Sequence, residues 1–150
     1  MKRSTWVIYA LALGILLSPA ICLADMNQEI CDAALDGNMQ KVKELLSQGA
    51  DVNAYDDYGS TLLTNAVTNG SVEMVKFLID KGANVNYLEM FGDSPLMIAA
   101  DRGYTEIVKI LIDKGADVNG KDSNDKTALS IAEGHGYSAT AQILRQAGAK

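Results

Sequence analysis

The string Gly-Ala-Asp-Val-Asn stands at residues 49–53 and again at 115–119, with Gly-Ala-Asn-Val-Asn between them at 82–86. Successive copies are 33 residues apart, and Gly148-Ala149 begins a further copy at the same interval. The segments that end in the second and third copies, 54–86 and 87–119, share 15 identical residues in 33. A fixed period of this length predicts a solenoid, in which each unit buries its apolar face against its neighbours.

Each period predicts two short helices. The first helix follows a hydroxyl residue that can cap it by accepting a hydrogen bond from a free N–H group, and these residues are Thr61, Ser94 and Thr127. The second helix carries apolar residues at i, i+3 and i+4, as at Val75, Leu78 and Ile79, which predicts a single buried stripe. Glycine follows the second helix at 82, 115 and 148, where a left-handed cap needs a residue without a Cβ atom.

These motifs resemble the ankyrin repeat. The resemblance rests on Gly59-Ser-Thr-Leu-Leu63, on Gly92-Asp-Ser-Pro-Leu96 and on the three Gly-Ala-Asx-Val-Asn strings, and it covers about residues 28–150. It implies an all-α repeat solenoid of four helix-turn-helix units joined by short hairpin loops. The expected units are about 28–53, 54–86, 87–119 and 120–150. The fourth unit departs from the family where Asp125 replaces the hairpin glycine.

Polar substitutions at both ends of the array predict terminal caps. The core position of Met74 and Ile107 is taken by Lys41 in the first unit and by Thr140 in the last, and Arg145 also replaces an isoleucine in the last unit. A solenoid needs a polar outer face at each end to stay soluble. We therefore expect Lys41, Thr140 and Arg145 to lie on those faces.

Residues 1–24 have the pattern of a secretory signal peptide. Lys2 and Arg3 form a basic start, an uncharged apolar run covers 6–17, and Cys22 and Ala24 occupy the positions that a signal peptidase reads. We expect cleavage after Ala24 and export to the periplasm of a bacterial cell, or secretion, as a domain of residues 25–150. The alternative is an uncleaved membrane anchor, although the apolar run is short for a hydrocarbon core of about 30 Å.

Composition disfavours several classes of function. Lys and Arg total 13 against 19 Asp and Glu, so the chain offers no basic field for nucleic acid. One histidine and two cysteines disfavour a metal cluster, and we expect no cofactor. A hydrolase that pairs His135 with Ser130 or Ser138 is the remaining enzyme alternative, although no nucleophile elbow is present. Cys31, at a core-facing helix position, is expected to be a buried, inert thiol.

The ankyrin resemblance implies binding of partner proteins through the hairpin tips and the first helices, which line a concave face. The tips of the second and third units are unusually apolar for exposed loops, and acidic residues surround them. Aromatic residues, Met and Arg are enriched at the centres of interfaces. The predicted partner-binding residues are Tyr55, Asp57, Tyr58, Met90, Phe91, Asp93, Asp101 and Arg102.

These residues predict a monomeric, non-catalytic interaction module whose partner has a basic surround. Its role would be that of an inhibitor, immunity protein or protective adaptor of an exported enzyme. The alternative for Leu88 and Phe91 is that they pack between adjacent hairpins rather than face a partner.

Overall fold

The computed structural model describes residues 19–150, with side chains from residue 25 onward. The basic start and apolar run of the predicted signal peptide lie outside the described residues. The described part contains eight helices and no strand. In chain order they are α1 (Pro19–Leu35), α2 (Met39–Ser47), α3 (Leu62–Asn69), α4 (Val72–Asp80), α5 (Pro95–Asp101), α6 (Thr105–Asp113), α7 (Ala128–Gly134) and α8 (Ser138–Gln146).

The eight helices form four antiparallel pairs that stack in register. Each first helix packs on the second helix of its own pair, and α1, α3, α5 and α7 contact one another in order. The second helices α4, α6 and α8 do the same behind them. This architecture confirms the predicted all-α repeat solenoid. None of the helices within residues 19–150 is long and apolar enough to cross a membrane.

The capping residues predicted from the sequence begin the helices that follow them. The hydroxyl oxygens of Thr61, Ser94 and Thr127 accept hydrogen bonds from backbone N–H groups three residues later, at 3.3, 3.2 and 3.2 Å. The glycines at 82, 115 and 148 have φ values of 96°, 87° and 92°, as a left-handed cap requires. These local signals therefore fix both ends of each unit.

The core runs along the length of the stack, between the two layers of helices. Met74, Leu78, Ile107 and Leu111 of the second helices are fully buried. Small residues of the first helices pack opposite them and allow neighbouring units to approach closely; they are Ala66, Ala99 and Ala132. Burial of these side chains supplies most of the stability of such an array.

A ladder of asparagine side chains also ties each unit to the next. Asn86 Nδ2 donates to the carbonyl of Gly115 at 3.0 Å, and its Oδ1 accepts from Asp117 N at 2.8 Å. Asn53 and Asn119 make the equivalent pairs of bonds with the units that follow them. In the sequence these asparagines appear only as the last residue of each repeated string, and their role as inter-unit clamps was not predicted.

The predicted polar caps of the first and fourth units differ in how far their side chains are exposed. Lys41 pairs with Glu29 at 3.2 Å and with Glu44 at 3.6 Å, and its side chain is partly exposed. Arg145 pairs with Glu133 and is exposed, so both charged side chains reach solvent, as expected of caps. The prediction for Thr140 was wrong. Its side chain is 1 % exposed, and its hydroxyl lies 2.9 Å from that of Thr105. A threonine fits this core position because a neighbouring hydroxyl satisfies its hydrogen-bonding capacity.

Asp125 adopts the conformation of the glycine that it replaces. Its φ is 60°, whereas the equivalent Gly59 and Gly92 have φ values of 80° and 82°. An L-residue is strained in this left-handed region, although aspartate tolerates it better than most residues. We expect Asp125→Gly to raise the free energy of unfolding by about 0.5 kcal/mol in urea denaturation, because the exposed pair with Lys121 contributes little. A destabilised variant would show that this pair outweighs the strain.

Candidate partner-binding surface

The tips of the second and third hairpins expose large apolar side chains. Tyr58, Met90 and Phe91 are 78 %, 74 % and 69 % exposed, and Tyr55 and Leu88 are 62 % and 55 % exposed. We call these five residues the tip patch. Their exposure argues against the alternative in which Leu88 and Phe91 pack between hairpins. The tip patch is therefore free to contact another molecule.

Asp56 builds the second hairpin. Its Oδ1 accepts from the backbone N–H groups of Tyr58 and Ser60, both at 2.9 Å, and its Oδ2 accepts from Asn65 Nδ2 at 3.2 Å. Asp56 is one of the acidic residues that surround the tips, but its carboxylate is committed to the turn. Asp57 makes no ion pair within residues 25–150, and its backbone N–H donates to Gln28 Oε1 at 3.1 Å.

The third hairpin is fixed against the fourth. The carbonyl of Phe91 accepts hydrogen bonds from the backbone N–H of Ser123 at 3.0 Å and from its hydroxyl at 2.6 Å. A Cβ atom at Gly92 would lie 3.1 Å from Ser123 N and 3.2 Å from Asp122 Cα. The backbone that carries Met90 and Phe91 is consequently held in place although their side chains are exposed.

A groove of about 750 Å³ runs from the third hairpin along the first helices α5 and α7. Its charged lining has four carboxylates, those of Glu89, Asp93, Asp101 and Asp122, against two cations, Arg102 and Lys126. Burial raises the pKa of Asp93, and the nearby charges of Asp122 and Asp101 raise it further. Of these four groups, Asp122 is a turn residue like Asp56: its Oδ1 accepts from the N–H groups of Asn124 and Lys126, and these bonds lower its pKa.

The predicted site residues Asp101 and Arg102 lie on the wall of this groove. Asp101 Oδ1 is 3.0 Å from His135 Nε2, and its Oδ2 is 4.0 Å from Arg102 Nε. The His135 ring stacks on Tyr137 with centroids 5.7 Å apart. The Asp101–His135 pair was not predicted, although a spacing of 34 residues, close to one period, places both residues at the ends of adjacent first helices.

Neither serine of the enzyme alternative forms a hydrogen bond with His135, whose side chain pairs with Asp101. Ser130 Oγ accepts from Thr127 N at 2.9 Å in a reciprocal capping arrangement, and Ser138 Oγ lies 3.5 Å from the carbonyl of Gly136. Within the part of the chain that the structure describes, no cluster of three or more histidine, cysteine or carboxylate side chains could hold a metal ion. The geometry therefore offers no specific support for hydrolysis.

Cys31 lies at the first interface between units. It is fully buried, and its sulfur is 3.8 Å from the carbonyl oxygens of Ala54 and Ser60. Burial raises the pKa of this thiol to about 12, with smaller contributions from the charges of Asp56 and Asp32. The predicted burial is confirmed.

Stacked helix pairs, inter-unit clamps and an exposed row of hairpins define a helical repeat protein. The family model described as "Ankyrin repeats (3 copies)" matches residues 30–122 and 86–150. The chain belongs to the ankyrin-repeat family, whose fold is a protein–protein interaction module and is typically non-catalytic. No curated protein matches the chain.

Proposed function

We propose that this protein is exported from a bacterial cell and binds a partner protein in the periplasm or outside the cell. Binding uses the tip patch together with the groove beside it, and the protein acts as a monomer without chemistry of its own. The observation that carries the proposal is the exposure of Tyr58, Met90 and Phe91 on a fixed backbone. Large exposed apolar patches mark interaction sites, and a preorganised surface loses little entropy on binding.

The charge distribution supports a partner with a basic surround. Residues 25–150 contain 11 basic and 19 acidic side chains. The second helices α2, α4, α6 and α8 contain five of each, so the acidic excess lies on the first helices, the hairpins and the loops. A basic partner surface would be attracted to this side of the molecule.

A rigid surface made of the tip patch and the groove suits an inhibitor, an immunity protein or a protective adaptor of an exported enzyme. In each role the protein covers a surface of the partner, and no catalytic group is required of it. Which role applies depends on whether the captured partner is inhibited or stabilised when bound.

Export is tested by N-terminal sequencing of the protein recovered from the periplasm. We expect the sequence to begin at Asp25, which would shorten α1 from Pro19–Leu35 to residues 25–35. A chain that retains residues 1–24 and sediments with the membrane fraction would contradict cleavage and would favour the anchored alternative.

The triple variant Tyr58→Ala, Met90→Ala, Phe91→Ala tests the binding surface. We expect at least tenfold weaker capture of the partner from a periplasmic extract, measured by quantitative mass spectrometry, because truncation of an interface anchor typically costs more than 1 kcal/mol. The melting temperature should change little, since most of each side chain is exposed.

Lys109→Ala, on the opposite layer of helices, is the control and should capture the partner normally. Equal capture by the triple variant would place the binding surface elsewhere. A large fall in its melting temperature would show that the three residues belong to the core.

A further inference from the structure

We propose that the partner docks through a segment in which an apolar side chain is flanked by arginine or lysine. The apolar side chain contacts Met90 and Phe91, and the cationic side chain enters the groove beside Glu89 and Asp93. This inference rests on the proposed function and adds the chemistry of the segment that is bound.

The apolar and acidic elements belong to one hairpin. Glu89, Met90, Phe91 and Asp93 lie within five residues, and the backbone N–H of Glu89 donates to the carbonyl of Asp93 at 2.9 Å across the turn. Glu89 and Asp93 line the groove, whereas Met90 and Phe91 are exposed at the tip. A segment that covers the tip therefore passes directly over the mouth of the groove.

Among the hairpins and first helices of residues 54–136, the carboxylates without an ion pair or a turn-capping role lie near the tip patch. In the hairpins and first helices of residues 54–136, most acidic side chains are already engaged: Asp56 and Asp122 cap turns, Asp101 pairs with His135, Asp125 with Lys121, and Glu133 with Arg145. Asp57, Glu89 and Asp93 have no ion pair among the residues described. All three belong to the second and third hairpins, which carry the tip patch.

The negative charges around Asp93 favour a cationic side chain in the groove. Asp93 is partly buried and is close to the charges of Asp122 and Asp101, so a cation placed there relieves repulsion that the free protein bears. Arginine suits this position best, because its planar guanidinium binds carboxylates in bidentate fashion and stacks on aromatic rings such as that of Phe91. A neutral or acidic segment would leave these carboxylates desolvated without compensation.

A short synthetic peptide tests this inference without the natural partner. The probe is a fluorescein-labelled peptide of sequence Gly-Gly-Arg-Leu-Leu-Arg-Gly-Gly, and binding is measured by fluorescence anisotropy at low and at physiological salt. We expect saturable binding that weakens as salt rises. The peptide with citrulline in place of both arginines keeps the shape and loses the charge, and we expect it to bind at least tenfold more weakly.

Substitutions in the protein identify the groove. Glu89→Gln with Asp93→Asn should weaken binding of the arginine peptide at least tenfold. The matched control, Glu106→Gln with Asp113→Asn, removes the same charge from α6 in the other layer and should change affinity less than twofold. Equal binding of the arginine and citrulline peptides, or equal effects of the two double variants, would overturn the inference. If the peptide results fail while the triple tip variant still loses its partner, the proposed function stands and only the cationic contact is wrong.

Discussion

A single methyl group added by Gly92→Ala is expected to lower the free energy of unfolding by about 2–3 kcal/mol. Two costs combine at this position. Gly92 has a φ of 82°, a conformation that strains any residue with a Cβ atom. The new Cβ would also lie 3.1 Å from Ser123 N and 3.2 Å from Asp122 Cα, which are backbone atoms of the next hairpin. Backbone cannot rotate aside as a side chain can, so the two hairpins must separate.

Gly59→Ala is the matched control for this prediction. Gly59 occupies the equivalent hairpin position with a φ of 80°, but no atom lies within 4 Å of the Cβ that would be added. It should therefore lose only the strain energy, about 1 kcal/mol. Urea denaturation of both variants measures the difference between them. Equal losses would show that the third and fourth hairpins are not in tight contact, and the tip patch would then lack its fixed backbone.

The parts of the fold that the sequence predicted depend on local chemistry. A hydroxyl at Thr61 or Ser94 accepts a hydrogen bond from the N–H three residues later when a helix begins after it, and a glycine at 82 or 115 adopts the left-handed conformation that ends a helix. Because these constraints involve neighbouring residues, they can be read without coordinates. Their repetition every 33 residues then requires that the units stack.

The parts that sequence analysis missed depend on which side chains meet across units. Thr140 looked like a polar cap because Met74 and Ile107 occupy the equivalent position in the two middle units, yet Thr105 supplies the hydroxyl that allows its burial. Asn86 looked like a loop residue because its two partners lie 29 and 31 residues further along the chain. Contacts of this kind leave no pattern in a single unit.

In the candidate site, too, some features could be predicted from the sequence and others depend on the folded backbone. The apolar character of the second and third tips was visible in the sequence, and their exposure follows from their place in the hairpins. Which carboxylates remain available was not visible. Asp56 and Asp57 are identical and adjacent, but the turn uses the first and leaves the second without an ion pair among the residues described. That distinction depends on backbone geometry.

Alkylation of Cys31 by iodoacetamide at pH 8 is expected to be about a thousandfold slower in the folded protein than in urea. The thiolate is the reactive form, and burial raises the pKa of Cys31 from 9.0 to about 12. At pH 8 this shift alone reduces the thiolate fraction by about three orders of magnitude. The experiment uses the Cys22→Ser chain, in which Cys31 is the sole thiol, and follows mass increase with time.

The same pKa shift predicts the pH dependence of stability. From pH 9 toward pH 12 the unfolded thiol ionises while the buried thiol of Cys31 stays protonated, so the folded state binds more protons and loses stability as the pH rises. This group contributes a slope of about 1.4 kcal/mol per pH unit in that window and none below it. The Cys31→Ala variant has no thiol at this position, so its unfolding free energy lacks this contribution to the pH dependence. Lysines and tyrosines titrate equally in this variant and in the Cys22→Ser chain, so the difference between the two pH profiles reports Cys31 alone. Parallel curves, or rapid alkylation of the folded protein, would mean that solvent reaches the thiol and that the first two units open readily.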